Sequence, residues 1–224
     1  THSVQHLTFA PSGTPYALVG PGQLGTDIQI KGELWLQGGQ GRWTKVDPGL
    51  QGNVSAIAWT PSQELIAAGD DGEVRAFDGA SWSSVVSASA SPIKEIHRIW
   101  GASSTQLAII GRGSTTHLFA VLDSGSWSTH PLPKVVDSGY VLELWGRSRD
   151  DLYAATTRGL FRWDGATWKA FYAPGGTPKD AFVTSVWGPA TGKRVYALIP
   201  EGLVIFADGK ATKVSTKLSK DEYH

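Results

Sequence analysis

Apolar residues along this chain come in short bursts, each closed by glycine, aspartate, serine or proline. In residues 152–168, LYAATTRGLFRWDGATW, one apolar segment runs into a glycine turn, and a second runs into Asp-Gly and then a tryptophan. Bursts this short, rich in β-branched and aromatic residues and bounded by turn formers, predict strands joined by tight turns. No stretch combines the length and the 3.6-residue spacing of an amphipathic helix.

The pattern then repeats. Residues 141–171 are matched almost element for element by residues 183–214, and more loosely by 96–130, 54–85 and the first 46 residues. Trp59, Trp100, Trp145 and Trp187 are 41, 45 and 42 residues apart, while Trp43, Trp82, Trp127 and Trp168 are 39, 45 and 41 apart. Two independent markers thus keep one period of about 40–45 residues, the length of a four-stranded propeller blade. In the fourth copy the strands, called A to D, fall at 141–145, 152–156, 160–163 and 168–171. A glycine turn joins B to C and an Asp-Gly turn joins C to D, where glycine supplies the positive φ that tight hairpins need.

A four-stranded sheet with two apolar faces needs cover on both, and radial stacking of successive sheets provides it. The expected fold class is all-β, a β-propeller of five four-stranded antiparallel blades at about 4–46, 54–86, 96–130, 140–171 and 182–215. These make one domain over residues 1–216, closed by packing without a shared strand, followed by a C-terminal tail at 217–224. The motif W-G, D-x-Y-A, G, then D-G-x-x-W, at Trp145, Gly146, Asp151, Tyr153, Ala154, Gly159, Asp164, Gly165 and Trp168, resembles the tryptophan-rich β-propeller repeats of bacterial exported proteins. A remoter likeness links VLDSGSW at 121–127 to the Asp-box (BNR) repeat of sialidase-type propellers. FAPSGTPYALVG at 9–20 is similar to a run in the five-bladed tachylectin-type lectins. These resemblances imply a repeat scaffold that binds, with sugar as one class of ligand.

Composition narrows the chemistry. Lys plus Arg and Asp plus Glu number 20 each, so no net field gathers a phosphate backbone, and nucleic acid is not an expected partner. Cysteine is absent, which removes disulfides and thiolate chemistry. Methionine is absent too, even at position 1, so the expectation is a chain processed or cut from a longer precursor. No run of about 18 apolar residues is present to span a membrane as a helix. The 27 glycines and 10 tryptophans fit many short strands and tight turns. With the exported-protein resemblance, an extracytoplasmic location (periplasmic, secreted or cell-surface) is expected.

No constellation points to catalysis. The six histidines lack H-x-H or H-x-x-x-H spacing, and GDDGE at 69–73 lacks the alternating acids of a calcium loop, so no metal or cofactor is expected. The arginines 75, 112, 147, 149, 158 and 162 share no position across the copies, which leaves a glycosidase site unsupported. Aspartates of the Asp-Gly turns are read as bonding their own backbone. D-strand tryptophans are read as filling gaps between blades.

The expectation is a non-catalytic module that binds a carbohydrate or protein partner on one face, with no catalytic residue. A structural subunit of a larger bacterial complex is the first alternative, and a sialidase-like glycoside hydrolase the second. Trp100, Trp145 and Trp187 are the candidate stacking platforms, at the end of strand A. Arg112 and Arg158, in the variable B–C turns, are the candidate polar contacts.

Overall fold

The computed structural model describes residues 2–10, 12–21, 32–134, 140–173 and 182–214; the tail at 217–224 lies outside them. Twenty strands form five four-stranded antiparallel sheets, each with its strands in sequence order across the sheet. The sheets are the blades of a five-bladed β-propeller.

The chain divides into two compact units, Thr1–Leu132 and Pro133–His224. The first unit carries blade 1, with strands β1 (His2–Phe9), β2 (Pro15–Pro21), β3 (Glu33–Gln37) and β4 (Trp43–Val46). Blade 2 follows as β5 (Val54–Trp59), β6 (Leu65–Gly69), β7 (Val74–Phe77) and β8 (Trp82–Val86). Blade 3 holds β9 (Glu95–Ser103), β10 (Gln106–Arg112), β11 (His117–Asp123) and β12 (Ser126–Pro131). In the second unit, blade 4 comprises β13 (Val141–Ser148), β14 (Asp151–Thr156), β15 (Gly159–Trp163) and β16 (Trp168–Tyr172). Blade 5 comprises β17 (Ser185–Trp187), β18 (Val195–Ile199), β19 (Gly202–Ala207) and β20 (Lys210–Val214).

Burial is greatest in the inner strands of a blade and least in strand D. The second strand of blade 2, LIAAG, is buried at every position, whereas the fourth strand of blade 5, KATKV, is exposed at every position. A strand covered on both faces must be apolar throughout, which is why segment B of blade 2 does not alternate, whereas that of blade 5 does, with Leu198 42% exposed. Blade 2 packs on blade 1 through Ile57, Leu65 and Ala67 against Tyr16, Leu18 and Leu34. It packs on blade 3 through Ile66, Ala68 and Val74 together with Ile99, Leu107 and Ile109. In the second unit, Tyr153 and Ala155 of blade 4 meet Val186, Val195, Ala197 and Phe206 of blade 5. Each fully buried Leu or Ile in these layers contributes roughly 1.5–3 kcal/mol.

The C–D turns use two devices. Asp164 accepts from the backbone N–H of Ala166 (3.1 Å) and Thr167 (2.9 Å), and Asp78 does the same for Ala80 and Ser81 at 2.8 Å each. In blade 5 both Asp208 (φ 49) and Gly209 (φ 74) are left-handed, the backbone of a type I′ hairpin. Trp82 and Trp127 pack against the layers between blades, while Trp43 is exposed.

His6 of β1 lies beside Arg98 of β9, and burial, reinforced by that cation, holds its imidazole down to about 4 from 6.5. The unfolded chain binds this proton near 6.5 and the fold resists it. The associated stability is therefore complete above pH 6.5 and is lost as pH falls towards 4. The loss is at most about 3 kcal/mol. Urea midpoints measured across that window are expected to fall on acidification, and His6→Gln is expected to flatten the dependence there.

Candidate functional site

Because the strands are antiparallel, the A–B and C–D turns emerge at one end of each blade, and the B–C turns emerge at the other. The sequence-predicted residues are split between these ends. In blade 3, Trp100 pairs with Ala108 whereas Arg112 pairs with Glu95. Positions 108 and 112 of β10 are separated by about 13 Å at the strand rise of about 3.3 Å per residue. In blade 4, Trp145 pairs with Tyr153, and Arg158 lies in the turn beyond Thr156. Neither blade brings its tryptophan to its turn arginine.

At the B–C end, the Arg112 side chain is 59% exposed and its Nη2 lies 3.1 Å from Glu95 Oε2. The rings of His97 and His117 lie 5.6 Å apart nearby. Arg158 is half-buried. Thr156 fixes its turn, Oγ1 accepting from the Arg158 N–H at 2.9 Å and donating to Gly159 O at 2.8 Å. The acids of GDDGE are engaged locally: Asp70 with Asn53, Asp71 with the N–H of Glu73, and Glu73 with Arg75 at 2.9 Å. Among the described residues no three His, Asp or Glu side chains are grouped so as to hold a metal.

At the A–B end, one motif produces three different environments. Trp100 is 8% exposed and belongs to the core. Trp145 is half-buried, with its ring edge against Gly188 of blade 5. Trp187 is 41% exposed and stacks on Tyr196, centroids 5.9 Å apart at 18°. The W-G glycine answers to packing. A Cβ on Gly188 would stand 2.7 Å from both Arg194 O and the Trp145 ring, and one on Gly101 would stand 2.8 Å from Leu107.

The most concentrated chemistry at this end is in blade 4, and it includes two arginines that sequence spacing left apart. Asp151 opens β14 and receives Arg147 Nε at 3.1 Å and Arg162 Nε at 2.8 Å. The Arg147 guanidinium lies 5.4 Å from the Trp145 ring centroid and 5.6 Å from that of Tyr153, and Arg162 lies 5.8 Å from Tyr153. Strand register explains the grouping, since Trp145 pairs with Tyr153 and Tyr153 with Arg162. Burial, with Asp151 adding to it, raises the Tyr153 phenol above its ordinary range, so the phenol stays neutral. Arg147 is largely buried, at 15% side-chain exposure, and its Nη1 is enclosed without an acceptor among the described residues. Arg162 is 44% exposed. In the sequence the signal was W-x-R and D-x-Y flanking a two-residue turn, a spacing that puts all four side chains on one face of a hairpin. Blade 1 carries an open cleft of about 560 Å³ at its own A–B end, lined by Ser12, Thr14, Tyr16 and Gln37 among others.

No known protein family matches this sequence, and no curated protein is significantly similar to it. Solved structures do resemble it. Virginiamycin B lyase from Staphylococcus aureus superposes with a TM-score of 0.62 at 12% identity, over 95% of this chain and 70% of that one. The β-propeller domain of Cps50 (Swd1) from Myceliophteria thermophila gives 0.56 at 13% identity, over 98% and 68%. The extracellular domain of a hybrid two-component system from B. thetaiotaomicron gives 0.57 at 14%, over 95% and 30%. At these identities the likeness is one of fold, and that fold occurs in a lyase, in Cps50 (Swd1) and in the extracellular domain of a two-component system alike. Among the described residues no helix is long and apolar enough to cross a membrane.

Proposed function

We propose that this propeller is a non-catalytic binding module that takes a carbohydrate or protein ligand at the A–B end of blade 4, outside the cytoplasm. The observation that carries the reading is the cluster Trp145, Arg147, Tyr153 and Arg162, in which guanidinium groups lie over aromatic rings and are oriented by one carboxylate. Such a surface is preorganised for recognition, because aromatic faces and guanidinium forks lose little freedom on binding. It is poorly suited to proton transfer, since Asp151 is already committed to two cations and Asp164 to Lys169. Of the predicted platforms, Trp145 belongs to this surface. Trp187 extends the same row type in blade 5, and Trp100 serves the core of blade 3. Arg112 supports a second contact surface at the B–C end of blade 3, because its exposed guanidinium is held in place by Glu95.

A glycan array combined with a solution mass measurement tests the reading. Binding of a defined glycan by a monomer, lost on Trp145→Ala in a folded variant, is the expected result. Turnover of a bound glycan would favour the hydrolase alternative, and a stable self-assembly without ligand would favour the structural subunit.

A further inference from the structure

We propose, resting on that reading of blade 4, that the Arg147–Arg162 pair recognises a carboxylate group, carried by an acidic sugar or an acidic side chain. Both guanidiniums reach Asp151 through Nε, at 3.1 and 2.8 Å, so two cations share one anion and one positive charge remains. Arg162 engages Asp151 through Nε at 2.8 Å and is the exposed member of the pair, at 44%. Arg147 Nη1 is enclosed, so Arg147 adds positive charge from beneath while Arg162 offers the exposed fork. A planar fork of two N–H donors matches the two oxygens of a carboxylate, and a charge-assisted pair of this kind is about twice as strong as a neutral hydrogen bond. The Tyr153 ring beneath Arg162 restricts its motion and excludes water from one side, which strengthens a pair formed on the other.

The neighbouring charges select the ligand. Asp150 and Asp164 flank the site, the first beside Arg149 (3.6 Å) and the second bound to Lys169 (2.6 Å). Asp150 and Asp164 are each matched by a cation of their own, and Asp151 leaves one positive charge over on the arginine pair, so the surface accommodates one added negative charge better than two and favours a carboxylate over a phosphate. A structural ion-pair network predicts none of this selectivity, because its arginines would be saturated internally.

The test is isothermal titration of the whole chain with oligoglucuronate, oligoglutamate, neutral dextran and inorganic phosphate. One or both of the carboxylate oligomers is expected to bind, with affinity falling as salt is raised, and dextran and phosphate are expected not to compete. Arg162→Gln and Arg162→Lys are each expected to weaken that binding by about tenfold or more, since lysine keeps the charge but not the fork. Lys169→Gln, which alters the same row of the sheet, is expected to change it less than about twofold. Whichever oligomer binds identifies the source of the carboxylate. Absence of binding to both, equal loss with Lys169→Gln, or stronger competition by phosphate would overturn the proposal. If a neutral glycan binds and its affinity depends on Trp145 but not on Arg162, the carboxylate assignment fails while the binding surface stands.

Discussion

Phe119→Ala is expected to cost about 3–5 kcal/mol, the range for emptying a fully buried aromatic site, and to do so without touching any candidate ligand contact. Phe119 occupies β11, is completely inaccessible to solvent, and sits across from Ile110 on one side and His130 on the other. With total stabilities of about 5–15 kcal/mol usual for a domain, a loss of this size removes a large share of what holds the first unit together. Thr129→Ala, on the exposed fourth strand of the same blade, is expected to change stability by less than about 0.5 kcal/mol. Urea denaturation of the two variants measures the contrast. Similar midpoints for both would mean that the layered burial of blade 3 is not what stabilises it.

The second large effect is electrostatic. Asp151→Ala is expected to destabilise the protein by about 2–3 kcal/mol, because it strands the mostly buried Arg147 beside a vacated partner while Arg162 keeps access to water. The loss falls short of the value for fully buried pairs because solvent screens the exposed half of the cluster. In the double variant Arg147→Met/Asp151→Ala most of the loss is expected to return, since neither charge then remains to be solvated. A double-mutant cycle by urea unfolding reads the coupling directly. Strictly additive losses would show that the two side chains do not act as a pair.

What the sequence could and could not reveal follows from which interactions repeat. Blade period, strand positions and turns were legible because each copy must solve the same packing problem, so Trp59, Trp100, Trp145 and Trp187 recur with their turn glycines. The reason for W-G, a glycine pressed between the preceding blade's ring and a backbone carbonyl at Gly188, needed coordinates. Exposure was not legible, because the three W-G tryptophans share a motif and differ only in what the next strands place over them. The sequence expectation puts Trp145 and Arg158 on one binding face. Antiparallel order separates them, since the end of strand A and the end of strand B lie at opposite edges of a sheet. The arginine pair was hidden for a different reason: Arg147 and Arg162 are unique to blade 4, so comparison of copies treats them as noise. Sites added to a repeat scaffold are expected to be visible in its exceptions, while its regularities report the scaffold.

A ligand bound at the A–B end of blade 4 and released unchanged would lie against the Trp145 ring. The most direct measurement is an NMR titration of the ten tryptophan indole N–H signals with the ligand that the glycan array or the carboxylate oligomers identify. The Trp145 indole is expected to shift with saturation, the buried Trp100 and the blade-2 Trp82 are expected to stay fixed, and the ligand is expected to be recovered chemically intact. Saturable shifts confined to Trp59 or Trp82, or a ligand cleaved during the titration, would contradict it.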